Sequence, residues 1–548
     1  FYLRSLVIIS IFPILINKRL IISTLLSLLL MGKSSTDSFE KWTLISTILA
    51  SSMVFIDFTA LNVALPAIQK DLGISGKSLL WIINAYTLFL SSLLLLGGSL
   101  GDIYGRKKIF IAGIVIFSVS SFLCGISPGK ELLIASRAFQ GIGGALMVPG
   151  SLAIISAVIP SQRRGKAFGT WSTFSALTTI IGPVLGGWLA GLGLWRVIFF
   201  INIPFALFTI AALALKVPEN KDEGAKKLDI TGAALTTLGL SGITYGFLEA
   251  SERGFGNIFI QLPLIFGFIS LAVFIYVEKK SRHPMIPLSL FKSKTFSGVN
   301  IMTLFVYAAL SASLFFLPMN LIQVQGYSEE IAGFTFLPFA VILAGLSRFS
   351  GVFSDRFGAR IPLIVGPFLA GIGLLILTIP GLTEGPKEYW STYFPGIIIL
   401  GTGMGIVVAP LTAAVMASVP EHNSGIASGT NNTMARTAGL LSVAVLGSLV
   451  IITFKGNLEK NISSINIPEK KKKDLINNSG KLAETQPPEG LSKEKTNQIN
   501  KVIKISFVKS FDFILYISAA LTWLGSLIAA ATVKKEIKPI PEKKITAK

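Results

Sequence analysis

Two residues of this chain have a type and a setting that suit proton chemistry. Asp57 sits inside an apolar run, Ile56-Asp-Phe-Thr-Ala-Leu-Asn-Val-Ala-Leu-Pro66. Arg137 is the lone cation in the core of another, with Gln140 and Gly141 three and four positions on. Residues at that spacing share a helix face. An ionised side chain in hydrocarbon costs several kcal/mol, roughly, and must face protein or water and find a partner. Burial favours the neutral form of a carboxyl group, so Asp57 reads as a proton carrier. Arg137 reads as a charge that shifts proton affinity while a cavity opens and closes. The plainer alternatives are a structural carboxylate bonded to a neighbouring helix and a structural clamp between helices. Thr59 and Asn62 add polar groups to the same run as Asp57.

Other chemistries find no support. There is no Ser/His/Asp grouping and no phosphate-binding loop. The two histidines, His283 and His422, are far apart, and the single cysteine, Cys124, lies in an apolar run. The sequence therefore predicts no enzyme, no metal site and no cofactor.

The elements that carry these residues follow from composition. The chain is 51% hydrophobic and 14% charged, where a soluble protein carries about a quarter charged residues. Apolar stretches of about 20 residues, enough to cross a bilayer as a helix, recur throughout. This predicts an all-α membrane protein with fourteen spans, at 42–66, 79–100, 108–126, 131–158, 166–190, 195–215, 228–249, 258–278, 296–322, 330–353, 361–380, 392–417, 424–453 and 508–533. The net charge of +21 does not indicate nucleic acid, because the cations sit mainly in short loops. Alternate loops hold Arg106-Lys107-Lys108, Arg163-Arg164, Lys216 to Lys227, Lys279 to Lys294, and Arg356 with Arg360. The intervening short loops hold only Lys70, Lys77, Lys130, Arg196, Arg253 and Lys387. That bias places both termini in the cytoplasm. The lysine-rich loop 455–507 is then external, and its composition predicts a flexible or partly helical excursion.

The chain also repeats itself. Gly97-Gly-Ser-Leu-Gly-Asp-Ile-Tyr-Gly-Arg-Lys-Lys108 returns in weaker form as Gly351-Val-Phe-Ser-Asp-Arg-Phe-Gly-Ala-Arg360. Gly141-Ile-Gly-Gly-Ala-Leu-Met-Val-Pro149 returns around Gly401 to Pro410, and Gly165-Lys-Ala-Phe-Gly-Thr170 as Gly425-Ile-Ala-Ser-Gly-Thr430. Spans one to six thus match nine to fourteen, with seven and eight inserted. Two six-helix bundles with a path between them are what such a duplication builds. The expected layout is an N-terminal extension and start (1–40), a first bundle (41–216), a two-helix insertion (217–295), a second bundle (296–533) and a tail (534–548). Residues 1–30 hold two short apolar runs split by Asn17-Lys18-Arg19, too short to span. They are expected to lie upstream of a start at Met31.

With these motifs in hand, the chain resembles a major facilitator superfamily transporter of the fourteen-span drug–proton antiporter family, from about Lys41 to the last span. Span one carries the Ile56 to Pro66 signature and span four the arginine motif Arg137-Ala-Phe-Gln-Gly-Ile-Gly-Gly144. Span five carries Gly182-Pro-Val-Leu-Gly-Gly187, like the motif associated with exporters, and span six opens on Trp195-Arg-Val-Ile-Phe-Phe-Ile-Asn-Ile-Pro204. The resemblance implies alternating access, with protons and a small molecule as partners, a lipid bilayer around a monomeric unit, and room for a periplasmic adaptor protein. It implies proton coupling at Asp57 and Arg137. It implies a substrate cavity among Asn62, Tyr86, Gln140, Met147, Asn431 and Arg436. It implies a cytoplasmic gate at Gly98, Asp102, Gly105, Arg106, Lys107, Asp355 and Arg356, where Asp102 would meet the start of span thirteen near Ser424-Gly425. Gly182, Pro183, Gly186 and Gly187 would form a hinge or seal. Arg348 is a further membrane cation. The span centres hold almost no acid beyond Asp57, which argues against a specialist for dications. A transporter of one metabolite and a membrane sensor are the alternative readings.

Overall fold

The computed structural model describes residues 35–221, 228–281, 284–420 and 424–534. The segment 1–30, the start at Met31, Lys226, Lys227, His283, His422 and most of the tail lie outside the described residues, as do the side chains of Arg348, Asp355 and Ser424.

Each expected span coincides with helix. The N-terminal set is α1 (Ser35–Leu72), α2 (Gly76–Tyr104), α3 (Arg106–Gly125), α4 (Lys130–Val158), α5 (Ser161–Gly191) and α6 (Asn202–Lys216, after a short turn at Val197–Phe200). The inserted pair is α7 (Ile230–Arg253) and α8 (Ile258–Lys280). The C-terminal set is α9 (Lys294–Met319, continued by a π turn, Asn320–Val324), α10 (Leu337–Phe357, after the entry turn Glu329–Phe334), α11 (Arg360–Ile376), α12 (Tyr393–Ala417), α13 (Ser424–Ile462) and α14 (Lys493–Thr532). Among the described residues, eleven helices are long and apolar enough to cross a membrane. Of the other three, α7 is diluted by threonine, serine and glycine and α11 has 17 residues, while α5 includes side chains outside the described residues.

The duplication is visible in the packing. In the first half α2 and α3 pack on α4, α1 packs on α5 and α6, and α3 packs on α6. In the second half α10 and α11 pack on α12, α9 packs on α13 and α14, and α11 packs on α14. Every pair maps onto its counterpart eight helices later. The halves meet where α2 runs along α13 and where α5 meets the entry turn of α10. The inserted α7 and α8 pack on each other, and α7 lies against both α2 and α13.

Small residues let these helices approach. A Cβ on Gly143 of α4 would lie 2.6 Å from the backbone nitrogen of Phe117 in α3, and one on Gly403 of α12 would lie 2.4 Å from that of Ala370 in α11. The repeated glycine motif is thus a repeated helix crossing.

The molecule has two ends, named here for Asp102 and for Leu72. At the Leu72 end the 455–507 segment is structured. α13 extends to Ile462, a helix covers Glu469–Asn477, a 3₁₀ turn covers Ser479–Glu484, and α14 begins at Lys493. Of the two expected alternatives, the segment takes the helical one. The carbonyl of Lys481 accepts a 3.0 Å hydrogen bond from Gln69 Nε2, and Gln69 Oε1 accepts one of 2.8 Å from Gln323 Nε2. This end therefore ties α1, α9 and the excursion together.

Gly143→Ala should lower stability by about 1–3 kcal/mol, the usual cost of overpacking a close contact. Gly456→Ala, whose Cβ would meet nothing within 4 Å, should not. Thermal unfolding of the detergent-solubilised variants reads the difference.

Candidate functional site

The first half is built around one buried ion pair. Asp57 of α1 and Arg137 of α4 are both fully buried, and Arg137 Nη1 donates to Asp57 Oδ2 at 2.5 Å. Gln140, one turn further along α4, closes the pair into a network. Its Nε2 donates to Asp57 Oδ1 at 2.9 Å, and its Oε1 accepts from Arg137 Nη1 at 2.5 Å. Gln140 Nε2 also donates to Ser121 Oγ of α3 at 2.7 Å, and Asn202 Nδ2 of α6 donates to that same oxygen at 3.0 Å. Arg137 Nε donates to the carbonyl of Ile82 in α2 at 3.3 Å. The guanidinium lies 4.2 Å above the ring centre of Tyr86 and 6.0 Å from that of Phe199. Five helices thus contribute to one site.

The chemistry follows from the bonding. A carboxylate shielded from water is tolerable only with charge and hydrogen bonds supplied to it, and Asp57 receives them on both oxygens. If Asp57 were protonated, the Arg137 charge would lose its counter-ion but keep Gln140, the Ile82 carbonyl and the Tyr86 face. The site therefore has partners for Arg137 in either protonation state of Asp57.

The sequence pairs Asp57 with Arg137 and puts Gln140 on the Arg137 face but in the substrate cavity; it misses Ser121, Asn202, Ile82 and Phe199. Asn202 carried a usable signal, because an amide inside an apolar helix must find a partner.

The expected cavity residues separate. Asn62 lines a small cavity between the halves, with Phe58 of α1, Ile83 and Thr87 of α2, Ser311 and Phe315 of α9, and Gly439 and Val443 of α13. Gln140 and Tyr86 belong to the ion-pair network instead. Met147 packs inside the first half against Gly113 of α3. Asn431 Nδ2 donates to Asn300 Oδ1 at 3.1 Å and to Thr303 Oγ1 at 2.8 Å, joining α13 to α9. Arg436 stands 6.0 Å from the ring centre of Phe55 in α1, across the interface between the halves. One acid passed over in the sequence, Asp512, is half-buried in α14.

The Gly182 to Gly187 turn of α5 is a packing hub. A Cβ at Gly186 would lie 2.2 Å from the carbonyl oxygen of Ala60, and one at Gly182 would lie 1.8 Å from Thr59 Oγ1. These neighbours sit two and three residues beyond Asp57. On its other side, Gly187 leaves no room for a Cβ beside the Glu329 carbonyl of the opposite half, which would lie 2.3 Å away. Gly333 leaves none beside the Pro183 carbonyl, at 2.4 Å.

At the Asp102 end, Asp102 pairs with Arg106 at 2.8 Å within its own loop. An exposed pair of this kind contributes about 0–1 kcal/mol. Gly98 abuts Pro149 of α4, and Gly105 turns the chain at φ 112°. Lys107 Nζ donates to the carbonyls of Ala214 and Val217 at the end of α6. The missed partner is Glu219. Its carboxylate accepts from the backbone N–H groups of Lys107 and Lys108, at 3.0 and 3.1 Å, and so caps the start of α3. Arg356 of the second copy is exposed.

The chain matches the family model described as Major Facilitator Superfamily over residues 47–443. It is 29% identical to the multidrug resistance protein Stp of Mycobacterium tuberculosis (strain CDC 1551 / Oshkosh), over 77% of this chain and 78% of that protein. It is 33% identical to a probable actinorhodin transporter of Streptomyces coelicolor, over 75% and 72%. Among solved structures, the inward-facing, unoccupied form of a bacterial homolog of the human lysosomal transporter Spinster superposes with a TM-score of 0.61 at 16% identity, covering 90% of this chain and 98% of that one.

Arg137→Ala should cost about 3–5 kcal/mol, since it leaves Asp57 buried and unpaired. Combining it with Asp57→Asn should recover much of that loss. A double-mutant cycle on thermal unfolding measures the coupling, and strict additivity would remove the pair from the stability of the fold.

Proposed function

The chain belongs to the Major Facilitator Superfamily, and we propose that it is a proton-driven exporter of lipophilic small molecules that works by alternating access. The observation that carries the reading is the fully buried Asp57–Arg137–Gln140 network, whose carboxylate is on α1, a helix that also lines the cavity between the halves through Phe58 and Asn62. Asp57 holds the proton, and Arg137 sets how readily it is released. The relatives' names extend the reading to drugs and antibiotics as the kind of cargo. Asn62, Phe58 and Phe315 line the cargo's path.

The α5 hub supports the coupling. It touches α1 immediately beyond Asp57 and touches the entry turn of α10 in the other half. A change at Asp57 therefore has a direct mechanical route to the seam between the halves. In this reading Asp102, Arg106 and Lys107 form the cytoplasmic gate loop, braced by Glu219. Both termini are cytoplasmic by the distribution of loop cations, which puts the Leu72 end and the 455–507 segment outside.

Two experiments test these claims. In proteoliposomes, adding a transported drug should release protons. Asp57→Asn should insert and fold, yet lose proton-driven accumulation by at least a hundredfold; pH-dependent transport at the wild-type rate in that variant would remove Asp57 from coupling. For topology, a cysteine at Lys470, in a Cys124→Ser background, should react with an impermeant thiol reagent in intact cells. Labelling only after permeabilisation would reverse the orientation.

A further inference from the structure

Four helices line the cavity between the halves: α1, α2, α9 and α13. Between Lys41 and Lys70 on α1, and along α2 from Ser78 to Gly101, α9 from Thr295 to Val324 and α13 from Ser424 to Phe454, only two residues carry charge, Asp57 and Arg436. Asp57 is turned into the first half and neutralised by Arg137. Arg436 is different. Among the described residues no carboxylate pairs with it, and the ring of Phe55 faces it across the interface, 6.0 Å from the guanidinium.

Its position relative to the cavity is fixed by helix geometry. Phe58, Ser311 and Gly439 line the cavity. They lie three, four and three residues beyond Phe55, Tyr307 and Arg436, which is about one helical turn in each case. The Phe55–Tyr307–Arg436 layer is therefore the next layer of the path, on the Asp102 side. Asn431 is held to Asn300 and Thr303 on the same α9–α13 seam, which fixes the backbone that presents Arg436. The cavity supplies aromatic and aliphatic walls from Phe58, Phe315, Ile83 and Val443. A guanidinium at membrane depth without a carboxylate is expensive unless something else completes it, and it binds carboxylate or sulfonate oxygens through a planar fork of donors.

We propose that Arg436 receives the anionic group of the cargo, and that the preferred substrates are lipophilic molecules bearing one acid group, their apolar body against Phe55, Phe58 and Phe315. The proposal rests on the exporter reading and narrows it to a chemical class. It reverses the charge expected of a pump for lipophilic cations, which would keep a free carboxylate in this position.

The test uses three probes. 8-Anilinonaphthalene-1-sulfonate and N-phenyl-1-naphthylamine share a skeleton and differ by one sulfonate, and ethidium is a lipophilic cation. Binding to the purified full chain, by equilibrium titration, tests the anion proposal. Proton-driven flux of the same probes in proteoliposomes tests the exporter reading separately. The wild type should bind the sulfonate at least tenfold more tightly than its neutral analogue, and ethidium most weakly. Arg436→Gln should reduce the sulfonate-to-neutral affinity ratio about tenfold, and Arg436→Lys should retain most of it. Equal binding of sulfonate and neutral probes by the wild type, tighter binding of ethidium, or an unchanged ratio in Arg436→Gln would each overturn the proposal. The wild-type comparison decides even if the variants fail to fold. Proton-linked flux of ethidium or the neutral probe without the sulfonate would leave the exporter standing and the anion preference refuted. Sulfonate binding without proton-linked flux of any probe would do the reverse.

Discussion

The first half of this transporter is organised by the cost of hiding one carboxylate. Asp57 and Arg137 are both fully buried, and taking two charges out of water carries a penalty that Coulomb attraction repays only when geometry and hydrogen bonding are good. The pair sits at the junction of α1 and α4 and draws in α2 through Ile82, α3 through Ser121, and α6 through Asn202. Five helices are thus positioned by a single requirement. A purely apolar junction of the same volume would hold the helices together equally well, since well-packed hydrophobic residues often replace a buried pair without loss. Stability alone does not account for the charge. The proposed role of Asp57, gaining and losing a proton at membrane depth, would account for it.

Transmission from that site depends on closeness rather than charge. The turn of α5 from Gly182 to Gly187 has backbone against Ala60 on one side and against Glu329 and Gly333 on the other. Interiors packed at this density pass a displacement on, because there is little free space to absorb it. A side chain at Gly186 or Gly187 would separate the helices and open a compliant gap. In the proposed mechanism the Gly182 to Gly187 turn is a stiff link between the neighbourhood of Asp57 and the seam, with Pro183 contributing a carbonyl that Gly333 must approach.

Much of this was legible in the sequence, for identifiable reasons. Apolar length revealed the helices, and repeated glycines revealed the duplication, because close crossings need small residues wherever they recur. Asp57, Arg137 and Gln140 stood out because charge and amide are rare in such runs. Ser121 did not, because serines in these helices commonly satisfy themselves on the preceding turn, as Ser118 does on the Ile114 carbonyl. Glu219 was hidden because a loop carboxylate reads as topology, and nothing in its neighbours announces a return to the start of α3. The packing of the 455–507 segment was hidden for a similar reason. Its polar composition allows a mobile loop, while the tie between Lys481 and Gln69 joins residues that no periodicity connects.

The duplication copied the packing and not the charge. The offset that maps Gly141 onto Gly401 and Gly165 onto Gly425 maps Arg137 onto Ile397, and Ala176 onto Arg436. Ile397 is fully buried, so the second half fills with apolar volume the place where the first half holds its guanidinium. Conversely, the first half has alanine where the second half places its own cation at the interface. On the reading proposed above, the two bundles divide two tasks. One keeps the Asp57–Arg137 pair inside itself as the proton site, and the other turns Arg436, which no carboxylate pairs among the described residues, toward the shared path. If both charges lay in one half, a cargo anion and Asp57 would compete for the same cations. In that proposal, separation across the seam lets the cargo meet Arg436 while Asp57 keeps Arg137, and the close α5 contact links the two events through the movement of the halves.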